Sequence, residues 1–303
     1  MRIALPHMPA GWATPLKAGL NAFARDRTAF ACLTLVSVYI VFAAFAPIIA
    51  PQNPQNLAHI ELIDARLPPL SAGAGDGSFY LLGSDALGRD IFSMTLYGVR
   101  ISLTVALISA AGALILGSAA GLAAAYLGGW VNIIIMRIVD IFLSLPAILI
   151  ALLFIAVFGR GVENTVIAIL AVQWTHYARA MNAAASGEIN KDYVLAAKLL
   201  GLSKARIMFG HILPNCLAPI FVIFAVQLGY VIAIEASLSF LGLGLPVTQP
   251  SLGNLVADGQ EFLLSGAYWM SLIPGFVLLL LVFSMNVVGD RIRVLQNPQL
   301  RRR

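Results

Sequence analysis

The chain holds 303 residues, 60% of them hydrophobic and only 11% charged, where soluble domains carry about a quarter charged residues. Apolar surface on that scale is stable only in a bilayer, which excludes a soluble globular enzyme. The formal charge of +5 does not point to nucleic acid, because the basic residues gather near the termini and in one internal segment, with no basic face interleaved with aromatics.

Residues 1–29 open the chain. From Pro15 to Arg27, Leu16, Leu20 and Phe23 recur at helical spacing with Lys17, Asn21 and Arg25 between them. This pattern reads as an amphipathic helix on the inner membrane surface. A membrane-crossing helix needs about 20 mostly apolar residues, and six stretches qualify: 28–50, 100–127, 133–158, 163–182, 217–241 and 267–289. The first is too long and starts too late for a signal peptide, so it reads as an uncleaved anchor. The fourth is the weakest, since Glu163 and Arg179 crowd its apolar stretch from both ends. The expected fold is therefore all-α and polytopic, with six transmembrane helices.

Lys and Arg near span ends orient such a chain. With the N-terminus inside, the inner segments hold Arg2, Lys17, Arg25, Arg27, Arg179, Lys191, Lys198, Lys204, Arg206, Arg291, Arg293 and Arg301 to Arg303. The outer segments hold only Arg66, Arg89, Arg100 and Arg160. Most acids fall outside: Glu61, Asp64, Asp76, Asp85, Asp90, Glu163, Asp258 and Glu261. Both termini are expected in the cytoplasm of a bacterium, with the chain crossing its inner membrane. Four regions follow: the amphipathic segment 1–29, the first span with a long outer loop over 30–97, a core of five spans over 98–290, and a basic tail over 291–303.

Between the fourth and fifth spans lies a cytoplasmic segment, 183–214, that is polar for its surroundings. Leu195, Leu199 and Leu202 form one apolar stripe at helical spacing, with Lys191, Asp192 and Lys198 off it. Gly201 can supply the left-handed residue that ends a helix, and Ser203 can cap the next. A short helix, a tight turn and a second helix result, running into Pro214. The residues alone leave open whether this hairpin rests on lipid or is held by another protein.

Its sequence, "AAKLLGLSKARIMFGHILPN", resembles the EAA loop of ABC-importer permeases at Ala196, Ala197, Gly201, Ile212, Leu213 and Pro214. Leu195 stands where that motif has glutamate. "LLGSDALGRDIFSMTLYGVRISL", "MRIVDIFLSLP", "EASLSFLGLG" and "FSMNVVGDRIRVLQNPQLR" are similar, in order, to the C-type permease of the peptide and nickel importers, nearest its dipeptide branch. The resemblance runs from about the first span to the C-terminus. It implies a type I ABC importer permease fold and the import of short peptides. The implied partners are a second, related permease making a heterodimer, two ATPase subunits, an extracytoplasmic substrate-binding protein and membrane lipid. It also implies that Leu195, Ala196, Ala197, Lys198, Leu199, Gly201, Leu202 and Ser203 form the helix that couples to an ATPase.

The chain has no Gly-Lys pair and so no P-loop. ATP and Mg are therefore expected on the partner ATPases, with no cofactor in this chain. His7, His59, His176 and His211 lack metal-ligand spacing, and Cys32 and Cys216 read as small buried hydrophobes. Ionisable residues inside a span are costly and often functional. Asp140 follows Arg137 by one turn and is expected to pair with it, as a gate or a structural ion pair, with Pro146 bending the helix just beyond. Glu235 either lines the path or meets water and a loop amide. Outside the membrane, Asp85, Gly88, Arg89 and Asp90 form either an ion-pair knot at the entry of the second span or a contact for the binding protein. Three rivals remain. A nickel chelate, opine or glutathione-like cargo keeps the architecture. An ion-driven secondary transporter would need inverted repeats and helices broken at mid-membrane, and neither is visible in the sequence. An intramembrane enzyme would need a catalytic set that is not visible.

Overall fold

The computed structural model describes residues 23, 26–54, 62–74, 78–246 and 248–296. The amphipathic helix expected over Pro15–Arg27 and the basic tail at Arg301 to Arg303 lie largely or wholly outside these residues.

A carboxylate starts each of the first two long helices. Asp26 Oδ1 accepts from Thr28 N and Ala29 N at 3.2 Å to open α1, Arg27–Ile49. Asp90 accepts from Ser93 N at 2.8 Å to open α2, Ile91–Leu127. That cap is why α2 starts at Ile91 rather than at residue 100: the first free N–H groups of the stretch 91–99 have an acceptor. At 37 residues, α2 is about 55 Å long, well beyond the thickness of a bilayer core.

Helix α3, Gly129–Ser144, and helix α4, Ala147–Phe158, meet at a bend of 94°. Pro146 has no N–H to donate and pushes the residue before it out of the helical region. Leu145 accordingly sits at φ −96°, ψ 145°. The sequence pattern reads this stretch as one span with a bend and shows no broken helix; it is instead a broken span or a re-entrant turn, because Pro146 interrupts the backbone hydrogen bonding.

Helix α5, Val162–Ile189, lies along α2. Gly117 and Gly121 make that approach possible, because a Cβ at either would strike the α5 backbone at Trp174 or Ala178. Small residues four apart let membrane helices touch at their backbones.

The chain then forms α6, Asp192–Leu199, and α7, Lys204–Ile207. A π-helical turn at Met208–Ile212 joins α7 to α8, Leu213–Phe240. Helices α9, Leu252–Gln260, and α10, Trp269–Gln296, follow. The fold is mostly helical rather than wholly so. In the long loop, β1, Ser71–Ala72, pairs antiparallel with β2, Phe79–Tyr80.

Among the described residues, four helical stretches are long and apolar enough to cross a membrane: α1, α2, the run Lys204–Phe240 and α10. The bent α3–α4 pair raises that to five. Six crossings are not reached on length and composition, because α5 carries Gln173, His176, Arg179 and Asn182.

Among the described residues, the two largest of four apolar clusters stack along the bundle. One joins α1, α2, α4, α5, α8 and α10 around Tyr39, Val105, Ala151, Ile169, Ile232 and Leu281. The other lies at the hairpin end around Leu122, Tyr177, Met181, Val194, Ile207 and Ile220. Helix α1 is tied to α10 by Tyr39 OH donating to Val277 O at 3.3 Å and by the Arg291–Asp26 pair at 3.4 Å.

Candidate functional site: a hairpin, its brace and a serine-lined carboxylate

Helix α6 ends on Gly201, at φ +73°. Leu202 N donates to Ala197 O at 3.2 Å and Gly201 N to Lys198 O at 3.0 Å, which together satisfy two terminal carbonyls. Ser203 Oγ then accepts from Arg206 N at 3.3 Å and opens α7. The tight turn expected from Gly201 and Ser203 is present.

The leucine stripe divides. Leu202 is half-buried and joins the hairpin-end cluster, whereas Leu199 and Leu200 are 89% and 80% exposed, with Leu195 exposed as well. Val194 and Ala197, not the stripe, attach α6 to the rest of the chain. Lys198 and Ala196 are on the exposed side. The hairpin thus presents leucines outward while small and branched residues hold it from behind.

A polar brace orients it. Glu188, at the end of α5, accepts from Lys191 Nζ at 2.5 Å and from Tyr193 OH at 2.6 Å. Asn215 Nδ2, at the start of α8, donates to Tyr193 OH at 3.3 Å and to His211 O at 2.7 Å. Helices α5, α6 and α8 therefore meet on one phenol. Burial and the neighbouring Glu188 carboxylate push that phenol up to about 12, so it remains a donor throughout the neutral range. The sequence reading passed over Glu188, Tyr193 and Asn215; only the Glu188–Lys191 spacing, one helical turn, could have signalled them.

From Lys204 the backbone runs as one helical rod to Phe240, and near its far end stands Glu235. Its side chain is fully buried rather than facing water, and among the described residues its partners are hydroxyls rather than a loop amide. Glu235 Oε2 accepts from Ser102 Oγ of α2 at 2.7 Å, and Oε1 from Ser239 Oγ at 2.8 Å. Ser251 also hydrogen-bonds the carboxyl, and its Oγ accepts from Asn254 N at 3.2 Å to cap α9. One side chain thus fastens α2, α8 and α9 together.

Asp140 does not pair with Arg137. Its carboxylate accepts from Arg179 of α5, and both side chains are about half exposed, at 52% and 54%. Arg137 is exposed and makes no ion pair among the described residues. One turn of spacing puts two side chains on the same helix face, but Arg179 reaches Asp140 from across the α3–α5 seam, where Asn182 Nδ2 also donates to Asn132 Oδ1 at 2.9 Å. Pro146 lies at the 94° break beyond that seam.

At the opposite end, Asp85 Oδ2 accepts from Arg89 Nε at 2.6 Å, both largely buried, while Asp85 Oδ1 accepts from Leu87 N and Arg89 N at 2.8 Å. Gly88 N donates to Asp85 O at 3.2 Å. Asp90, besides capping α2, receives Ser93 Oγ at 2.6 Å, and its own N–H donates to Gln52 Oε1 at 3.0 Å. Asp85, Gly88 and Arg89 are bonded to one another at the start of α2, and Asp90 beside them is bonded to Gln52 and Ser93. A cleft of about 390 Å³ beside these residues brings Asp85 and Arg89 near Asp258 of α9. Burial pushes the Asp258 carboxyl up, against the pull of Arg89.

Cys32 and Cys216 are buried free thiols. Among the described residues, no three His, Cys, Asp or Glu side chains gather as metal ligands do.

Residues 113–302 match the family described as binding-protein-dependent transport system inner membrane component. This chain belongs to that family. Residues 14–69 match the N-terminal transmembrane domain of oligopeptide transport permease C. The chain is 39% identical to the dipeptide transport system permease protein DppC of Escherichia coli, over 95% of this chain and 94% of that protein. It is 37% identical to the di/tripeptide transport system permease protein DppC of Pseudomonas aeruginosa, over 95% and 93%. The methionine ABC transporter MetNI, solved in inward-facing conformations, shares the fold, with a TM-score of 0.54 at 19% identity over 67% of this chain and 97% of that one. The chain is thus a multi-pass permease component of an ABC transporter rather than an enzyme.

Proposed function

We propose that this chain is one half of a heterodimeric permease that carries di- and tripeptides into the cytoplasm, driven by ATP and Mg bound on two partner ATPases. The observation that carries the cargo is identity of 37–39% to peptide permeases along nearly the whole chain. An extracytoplasmic binding protein delivers the peptide. The chain crosses the inner membrane six times, with α3–α4 counting as one bent crossing and α5 as another, its Gln173 bonded to Gln227 of α8 and its Asn182 to Asn132 of α3. Both termini and the hairpin are then cytoplasmic, in keeping with the bias of Lys and Arg. The core over 98–290 works as the transport unit, with 30–97 packed beside it.

The exposed Leu195, Leu199 and Leu200 seat in an ATPase groove, and the brace on Tyr193 makes the hairpin move with α5 and α8. Closure of the ATPases shifts the rod Lys204–Phe240, and Glu235 passes that shift to α2 and α9 at the outer face. The seam of Asp140 and Arg179 opens or closes the inner side as α3 moves on α5.

Uptake of a labelled dipeptide by cells lacking the chromosomal gene, with and without the plasmid-borne chain and its operon partners, tests the cargo. Restored dipeptide uptake that competing tripeptides reduce supports it. Restored uptake of a nickel chelate or glutathione with no peptide uptake sinks it. Cysteines placed by Ser203→Cys and Ser78→Cys test the orientation with a membrane-impermeant reagent. Only the second should react in intact cells, and the reverse pattern overturns the six-crossing topology.

A further inference from the structure

Arg100 sits about 14 Å into α2 from Ile91 by helical rise, where the apolar run begins. It is exposed, and among the described residues its guanidinium has neither an ion pair nor a hydrogen bond. A cation beside hydrocarbon without a counter-charge is costly and needs a partner.

Two clefts flank it. One, of about 310 Å³, leaves Arg100 and runs between α1, α2, α8 and α10 past Ala44, Leu103, Leu107, Leu228 and Ile232 to Met285. From Arg100 to Leu107 the cleft follows about two turns of α2. Apart from Arg100 and Thr104 its walls are apolar. The other cleft, about 320 Å³, is bounded by Tyr97, Arg100 and Thr104 and carries more polar surface. The first cleft offers an apolar wall along Leu103 and Leu107 with a single cation, Arg100, at its mouth, a pairing that suits an apolar chain carrying a negative head.

We propose that Arg100 and these clefts bind one anionic phospholipid: the phosphate on the guanidinium, the headgroup towards Tyr97 and Thr104, and an acyl chain along Leu103 and Leu107 towards Met285. Guanidinium binds phosphate through paired N–H donors, which matches an arginine that the protein itself leaves uncompensated. The lipid fills the gap beneath α1 and fixes that helix on the transport core. That the lipid belongs to the outer leaflet rests on the orientation proposed above; the site itself does not.

The test uses the whole transporter, with its partner permease and ATPases, stripped of lipid and re-supplied with phosphatidylglycerol or phosphatidylcholine of the same chain length. Native mass spectrometry counts the lipids retained. The wild type should keep one more phosphatidylglycerol than phosphatidylcholine per complex. Arg100→Gln should lower that retention at least tenfold, with Arg100→Lys in between. Ala44→Trp, which keeps the cation and fills the groove, should lower it comparably. Equal retention of the two lipids by the wild type, or unchanged retention in Arg100→Gln, overturns the proposal. So does a raised KM for peptide in Arg100→Gln with lipid retention unchanged, which would make Arg100 a reader of the cargo carboxylate. If Arg100→Gln does not assemble, unchanged retention in Ala44→Trp overturns it alone. The cysteine labelling reports orientation separately, so failure of either reading is distinguishable.

Discussion

The Ser102 hydroxyl donates to Glu235 Oε2 at 2.7 Å, joining α2 to α8 inside the bundle across 133 positions of sequence. With Ser239 and Ser251 it encloses a carboxyl that has no access to solvent. The arrangement makes Glu235 a fastener between the rod that begins at the hairpin and the short helix α9.

Replacing Glu235 therefore separates shape from polarity. Glu235→Leu leaves three hydroxyls without their acceptor, and each orphaned buried group costs about 1–3 kcal/mol. Glu235→Gln keeps one carbonyl oxygen as acceptor and should lose far less. The expected outcome is little peptide uptake and reduced membrane levels for Leu, with Gln retaining most of both, measured by transport assay and quantitative immunoblot. Equal loss in the two variants would mean the negative charge itself acts.

At Gly201 the structure locates the strain in the backbone. A Cβ there meets no atom within 4 Å, so Gly201→Val would not clash with a neighbour; its cost is the left-handed φ of +73°. For a residue with a side chain that is roughly 1–2 kcal/mol, and asparagine bears it best. Gly201→Val should insert normally yet lose most ATP-driven uptake, as the turn after α6 opens and Leu199 and Leu200 swing away. Gly201→Asn should transport nearly as the wild type does. Normal uptake in Gly201→Val would remove the coupling role of the hairpin.

Local signals were legible in the sequence and contacts between distant segments were not. Gly201, Ser203 and Pro146 act through their own backbone chemistry, so position alone announced a turn, a cap and a bend, though not that the bend would reach 94°. The Asp85–Arg89 pair lies within one helical turn's reach in sequence, and was visible for the same reason. Asp140 offered a neighbour at the right spacing, Arg137, but the winning partner, Arg179, comes from another helix whose packing is set by Gly117 and Gly121. Glu235 was conspicuous as an acid in a span, yet nothing local showed that serines from α2 and from the cap of α9 would enclose it. The weak hydropathy of α5 was visible from its charged ends; its cause, a helix laid along α2 and tied to α3 by Asn182 and Arg179, was not.

The Asp140–Arg179 pair is half exposed, which sets the size of its effect. Exposed ion pairs contribute about 0–1 kcal/mol, whereas breaking a buried one costs about 3–5. Asp140→Asn should leave assembly intact and lower thermal stability of the purified complex by a few degrees at most. Arg179→Gln should behave alike, the double variant should be no worse than either single one, and Arg137→Gln should be neutral. If Asp140→Asn abolishes assembly, the partner permease buries this pair and the larger figure applies.

Tyr193 offers the most direct test of the brace, because one oxygen serves both Glu188 and Asn215. Tyr193→Phe removes that oxygen and keeps the ring, costing about 1.5–3 kcal/mol for a bond to a charged group, at the low end for a phenol this exposed. The hairpin should then move less faithfully with α5 and α8, and the ratio of peptide transported to ATP hydrolysed should fall while ATPase activity persists. The pH dependence has a definite sign. A phenol raised from about 10 to about 12 in the folded chain contributes stability that is present in full below pH 10 and lost as pH rises through 12. Coupling through Tyr193 should therefore stay flat between pH 6 and pH 9. A wild-type coupling ratio that titrates in that window, and is flat in Tyr193→Phe, would show that the phenol ionises near neutrality and that the brace is not built as described.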